Sequence, residues 1–259
     1  MRIKQSGCFP MMEPLPVPLD EFVKRVAEMG YAAVEIWKPD EKFPALAELA
    51  QKHGLRIASF SGHDSLPVGL NDPSQHERIC AELRQSIDLA ARYNVPGVIC
   101  FSGNRRAGQS DEEAIEACVT GFRMIAPYAE EKGVNLNMEL LNTKVDHPGY
   151  QCDHAEWGLK VVKRVDSPRV KLLYDIYHMQ IMEGNLIRTI QDNIQWIGHF
   201  HTAGVPGRNE IDDTQEINYR GVCKGIAATS YDLFIGHEYR PRRELFETLR
   251  EAFAICDQG

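Results

Sequence analysis

Residues 170–201 read VKLLYDIYHMQIMEGNLIRTIQDNIQWIGHFH. Val170–Asp175 is a short apolar run that closes on an acid. Leu186–Asn193 carries a helical pattern. Trp196–His201 is a second apolar run, and it closes on a histidine. Strand, helix and strand within about thirty residues make a parallel crossover unit. Near-continuous apolar strands are what a parallel sheet covered on both faces requires.

The same alternation extends in both directions. Apolar runs stand at Ile3–Gly7, Ala33–Trp37, Arg56–Phe60, Gly97–Phe101, Asn135–Leu140, Val170–Asp175, Trp196–His201 and Leu233–Glu238. Helical patterns lie between them. In Leu19–Met29 the residues Leu19, Phe22, Val23 and Val26 repeat with a 3.6-residue period. Phe43–His53 stops at Gly54. Glu77–Tyr93 places Ile79, Leu83, Ile87 and Ala90 on one stripe. Asp111–Lys132 starts at Ser110 with Glu113 at the capping-box position and stops at Gly133. Asp153–Val165, Leu186–Asn193, Glu216–Ala228 and Arg243–Cys256 complete the series.

Eight strand–helix units in strict alternation predict an α/β fold, a (β/α)₈ TIM barrel, with residues 1–259 forming a single barrel domain. The chain's 259 residues sit close to the ~250 typical of that fold. An open doubly wound sheet is disfavoured, because no G-x-G-x-x-G follows the first strand. The longest loops, Ser61–Ser74 and Thr202–Thr214, both follow strands, where barrel active sites are built.

Composition narrows the class. Hydrophobic residues make up 43%, enough for a large core, and the net charge of −8 argues against a broad nucleic-acid or anionic-membrane face. No apolar run has transmembrane length, and the N-terminus does not resemble a signal peptide. The seven cysteines are scattered without a C-x-x-C pair, as in a cytoplasmic protein with reduced thiols. The expected partner is a small molecule, with no nucleic acid and no membrane, and a homo-oligomer is left open.

Polar residues at strand C-termini carry the chemical signal. Four late strands end near Glu139, Asp175, His201 and Glu238. Three carboxylates and one imidazole form a hard, oxygen-rich donor set. It suits Mg²⁺ or Mn²⁺, with Co²⁺ or Zn²⁺ also compatible, and is unlike a cysteine-rich structural zinc site. His199 shares a strand face with His201 and reads either as a further ligand or, more readily, as a packed partner. Glu35 is either a pocket residue or a buried ion-pair partner. Trp37 and Phe9 are either pocket walls or core-packing residues. Arg105-Arg106 is either a solvated pair or an anion contact, with Arg105 following a strand end. His53, His63, His76, His147 and His154 are read mostly as surface residues. His237-Glu238 is not followed by the second histidine of H-E-x-x-H, which excludes a metalloprotease helix.

The segments KQSGCFP, VICFSGNRR, MELLN, YQCDHAEWG, LLYDIYHMQ, GHFHTAGVPGRNE, EINY and GHEYRP together resemble the hydroxypyruvate isomerase family of the xylose-isomerase-like barrels, end to end. The resemblance implies a metal on Glu139, Asp175, His201 and Glu238, with Glu139 and Glu238 as acid and base on opposite faces of the substrate. It also implies substrate oxygen contacts from His178 and Arg208. One position departs: typical members resemble H-I-Q or H-V-Q where this chain has His199-Phe200-His201, and the histidine looks more like the ketose epimerase branch.

The implied reaction removes a proton alpha to a carbonyl, passes through an enediolate and returns a proton to the adjacent carbon. Hydroxypyruvate and tartronate semialdehyde are such a pair. A divalent cation stabilises the developing charge, and positioned carboxylates move the proton. A ketose 3-epimerase or a 2-oxo-tetronate isomerase would use the same site on a longer substrate. An endonuclease of the same fold would need more metal ligands and a DNA-binding face. A non-catalytic sugar-binding module would have no use for intact glutamates at both acid–base positions.

Overall fold

Each apolar run of the sequence becomes a strand in the computed structural model, which describes residues 3–258. The strands are β1 (Lys4–Cys8), β2 (Ala33–Glu35), β3 (Arg56–Ile57), β4 (Gly97–Cys100), β5 (Asn135–Glu139), β6 (Val170–Asp175), β7 (Ile197–Thr202) and β8 (Phe234–His237). The helices are α1 (Leu19–Glu28), α2 (Phe43–Lys52), α3 (His76–Arg92), α4 (Asp111–Lys132), α5 (Ala155–Val165), α6 (Ile176–Met182), α7 (Leu186–Asn193), α8 (Tyr219–Ala227) and α9 (Leu245–Cys256). Helix α6 is absent from the periodicity reading. It forms because the Asp175 side chain accepts the backbone N–H of His178 at 3.0 Å, capping a helix at the point where β6 ends.

The chain divides into two compact units. One comprises the residues up to Phe60, with 185–194 and everything from His199 onward. Its strands pair in parallel in the order β3-β2-β1-β8-β7. Ala33, Ala58 and Phe234 form one buried cluster in it. Phe22 of α1 packs on Phe246 of α9 with ring centroids 6.1 Å apart. Two small residues lie side by side in its sheet, since Ser6 of β1 is in register with Gly236 of β8. A Cβ on Gly236 would come within 2.2 Å of Glu35 Oε1, so glycine is what admits that carboxylate.

The other unit comprises Ser61–Gly184 with Gln195–Gly198. Its strands pair in parallel in the order β6-β5-β4. Every residue of β4 and β5 is buried, as strands covered on both faces require. Helix α5 rests directly on β6: a Cβ on Gly158 would meet Leu172 at 2.9 Å. Helix α4 carries the expected capping box of Ser110 and Glu113 and closes on Gly133 at φ 72°.

Two histidines read as surface residues are instead buried, with 4% exposure each. His63 Nε2 accepts the backbone N–H of Phe101 at 2.9 Å. His76 Nε2 lies 2.9 Å from the Leu70 carbonyl, and its ring packs against Gly121. Each ring has a backbone partner, which is what allows a polar group inside. All seven cysteines are free thiols. Among the described residues, no helix is long and apolar enough to cross a membrane.

Candidate active site

In the unit built on β4, β5 and β6, Glu139 is the last residue of β5 and Asp175 the last of β6, and both are buried. His178 follows in the first turn of α6, also fully buried. Its Nδ1 faces two donors of Asn142, the backbone N–H at 3.1 Å and the side-chain Nδ2 at 2.6 Å. An atom that accepts cannot carry the proton, so the ring proton sits on Nε2, and Nε2 lies 3.7 Å from Asp175 Oδ2. Asn142 is itself fixed. Its Oδ1 accepts the N–H groups of Val145 and Asp146, each at 2.9 Å, and its Nδ2 donates to Asp146 Oδ2. Tyr177 Oη donates to the same Asp146 oxygen at 2.8 Å. Asn142 closes the MELLN segment, the one sequence signal that could have pointed to it.

Arg105, a sequence candidate for substrate contact, is about half exposed, with its guanidinium on Asp111 at 2.8 Å and Asp153 at 3.3 Å. The structure does not join it to Glu139, Asp175 or His178 by any described contact.

The other unit brings His201, Arg208 and Glu238 together. Glu238 follows β8, and its backbone N–H is fixed on the Thr202 carbonyl at 3.0 Å. Arg208 donates to Glu238 Oε2 at 2.5 Å, and Trp37 Nε1 donates to Oε1 at 2.8 Å. Burial alone would raise the Glu238 pKa. The charges of Arg208 and His201 and these two hydrogen bonds outweigh it and hold the carboxyl below its ordinary range. Arg208 is presented by a tight loop. Gly207 has φ 99°, Arg208 itself has φ 58°, and its N–H donates to the Gly204 carbonyl at 2.9 Å. A non-glycine residue in the left-handed region is uncommon and marks a functional position more often than a random one.

His201 lies between two carboxylates. Its Nε2 is 3.0 Å from Glu35 Oε2 and its Nδ1 is 3.5 Å from Glu238 Oε2. His199 Nε2 is 3.1 Å from both Glu35 oxygens, and Ser6 Oγ donates to Oε1. Glu35 is therefore a buried partner of both histidines, and His199 is bonded to that carboxylate. Burial raises the Glu35 pKa, but the two imidazoles more than reverse this and hold it far below the usual carboxylate range. Of the aromatic candidates, Trp37 reaches Glu238, whereas Phe9 stacks edge-on against Phe22 at 6.2 Å, a packing role.

A family model described as xylose isomerase-like TIM barrel matches residues 23–256. The chain is 34% identical to the 2-oxo-tetronate isomerase of Cupriavidus necator, over 86% of its own length and 87% of the relative's. It is 31% identical to the hydroxypyruvate isomerase of Escherichia coli, over 85% and 86%. A crystal structure titled AP endonuclease, family 2, from Brucella melitensis superposes with a TM-score of 0.80 at 27% identity, covering 96% of this chain and 97% of that one.

Proposed function

Because the chain belongs to the xylose isomerase-like TIM barrel family, we propose that it is a metal-dependent isomerase that interconverts hydroxypyruvate, or a close 2-oxo-3-hydroxy acid, with its aldehyde isomer. The relatives named isomerases span most of its length. The observation that carries the reading is Glu238, buried, kept ionised by Arg208 and Trp37, with His201 beside it.

The residues fit a divalent cation. His201 Nε2 lies 3.0 Å from Glu35 and its Nδ1 lies 3.5 Å from a Glu238 oxygen, so the ring, when protonated on Nε2 alone, can offer Nδ1 to a cation beside Glu238. The proposed ligands are those the family resemblance implies, Glu139, Asp175, His201 and Glu238. Mg²⁺ or Mn²⁺ suits three carboxylates and one imidazole, with Co²⁺ or Zn²⁺ compatible. When bound, the cation supplies Lewis-acid stabilisation of the enediolate charge.

The protein's own groups do the proton work. One of Glu139 and Glu238 takes the proton from carbon 3 of hydroxypyruvate, and the other delivers one to carbon 2. The hydroxyl proton passes from the oxygen on carbon 3 to that on carbon 2, leaving an aldehyde and a secondary alcohol. His178, with its proton held on Nε2 by Asn142, is built to donate to a substrate oxygen. The Arg208 fork suits the planar carboxylate of the substrate. The location consistent with this chemistry is the cytoplasm.

The test is an NMR screen of hydroxypyruvate, 2-oxo-tetronates and short ketoses with Mg²⁺, Mn²⁺ and Co²⁺. Turnover of hydroxypyruvate dependent on added metal supports the proposal. Efficient turnover of ketoses alone would replace it by the 3-epimerase reading, which His201 favours. Preference for the four-carbon acid would replace it by the 2-oxo-tetronate isomerase reading, which the Cupriavidus relative favours. Tight binding of these compounds without turnover would identify a sugar-binding module.

A further inference from the structure

We infer that Glu35 is a positioning residue that fixes His201 in the tautomer protonated on Nε2, so that Nδ1 is the atom offered to a cation. The inference rests on His201 being a metal ligand, as proposed above. Glu35 closes β2 and reaches past β1 and β8 to β7. Its path exists because the intervening positions are small: Ser6 contributes a hydroxyl to the carboxylate, and Gly236 contributes no side chain at all.

The carboxylate receives three donors: Ser6 Oγ, His199 Nε2 and His201 Nε2. A carboxylate in this setting only accepts, so each Nε2 must carry the hydrogen. The two rings meet edge to face, with centroids 5.0 Å apart and planes at 86°. Rotating either ring to exchange its nitrogens would break the Glu35 bond and disturb the other ring. His199 thus acts through Glu35, bracing the carboxylate that orients His201. A carboxylate behind a ligating imidazole fixes its orientation and raises its basicity, and removing such a partner typically weakens metal binding ~10–100-fold.

The trio Glu35, His199 and His201 could also be read as a second cation site. The three hydrogen-bond donors on Glu35 favour the positioning role, since a carboxylate that accepts from two ring N–H groups does not ligate through the same direction.

The experiment has two readouts. Long-range proton–nitrogen NMR on protein labelled with ¹⁵N-histidine, with and without Mg²⁺, reads the His201 tautomer in the wild-type chain. Calorimetric titration of Mn²⁺ into metal-stripped wild type, Glu35→Gln, Glu35→Ala and His201→Ala reads affinity and stoichiometry. Expected are an Nε2-protonated His201 in the wild type, one Mn²⁺ per chain, and a 10–100-fold loss of affinity in both Glu35 variants. Nδ1 protonation in the wild type would overturn the inference without needing any variant. Unchanged Mn²⁺ affinity in Glu35→Gln and Glu35→Ala would overturn it too, while loss of binding in His201→Ala would leave the metal reading standing. Two Mn²⁺ per chain, one lost with Glu35, would make Glu35 a ligand and also overturn it. Mn²⁺ binding by wild type and His201→Ala alike would instead remove the metal reading on which the inference rests.

Discussion

Glu238 is buried, and two of its hydrogen-bond donors come from distant positions, Trp37 and Arg208. Under the proposed scheme these donors keep the Glu238 carboxyl in the ionised form that can take a proton. Glu238→Gln and Glu139→Gln keep side-chain shape and one oxygen but cannot take a proton. Each should lower kcat by about 10²–10⁴-fold, with part of the metal affinity retained by calorimetry; near-wild-type turnover in both would remove the two-glutamate scheme. Arg208→Lys keeps the charge but loses the planar fork. It should raise KM for hydroxypyruvate more than for an uncharged ketose, which steady-state kinetics on both substrates would show. His63 gives a residue-scale prediction about stability. Burial lowers its pKa from 6.5 to about 4, and the folded ring is neutral. The unfolded chain therefore binds the extra proton as pH falls. The stabilisation is intact above about pH 6.5 and is lost as the pH drops toward about 4, amounting to roughly 2 kcal/mol between pH 7.5 and 5. Thermal melts at both pH values should show His63→Gln losing correspondingly less stability on acidification than wild type.

At the scale of elements, the strands and helices are where the alternation of apolar runs places them. Val170–Asp175, Asp111–Lys132 and Leu186–Asn193 match to the residue, because their ends are marked by an acid, a capping box or a polar break. The runs at Ala33–Trp37 and Arg56–Phe60 extend past the paired residues, because apolar side chains at the sheet rim continue the pattern after the ladder hydrogen bonds stop. Helix α6 was hidden because its sequence, IYHMQIM, continues the apolar character of β6; only Asp175 as a cap distinguishes them. Strand β8 offers a test. Gly236→Ala would force a methyl against Glu35, a close-packed clash of the kind that costs about 1–3 kcal/mol. Denaturant unfolding should show that loss. A neutral result would mean Glu35 can leave His201 at little cost.

For the whole molecule, the four ligands are proposed from the sequence because strand C-termini expose their type and spacing. Glu35 was not legible as the partner of His199 and His201, because that contact depends on β2 reaching across β1 and β8 in space, and no sequence spacing encodes it. The burial of His63 and His76 was equally hidden, since their backbone partners, Phe101 and Leu70, are set by loops. Metal removal tests the proposed cation site. A cation at 100 times its Kd stabilises the folded state by about 2.7 kcal/mol, so stripping it should lower Tm by roughly 5 °C, and scanning calorimetry with and without chelator would detect this. The central claim is proton transfer between adjacent carbons at a metal site, and following hydroxypyruvate turnover in D₂O by NMR tests it most directly. Metal-dependent appearance of tartronate semialdehyde carrying deuterium on carbon 2 is the expected result. Fully protiated product, together with undiminished rates in Glu139→Gln and Glu238→Gln, would contradict the account.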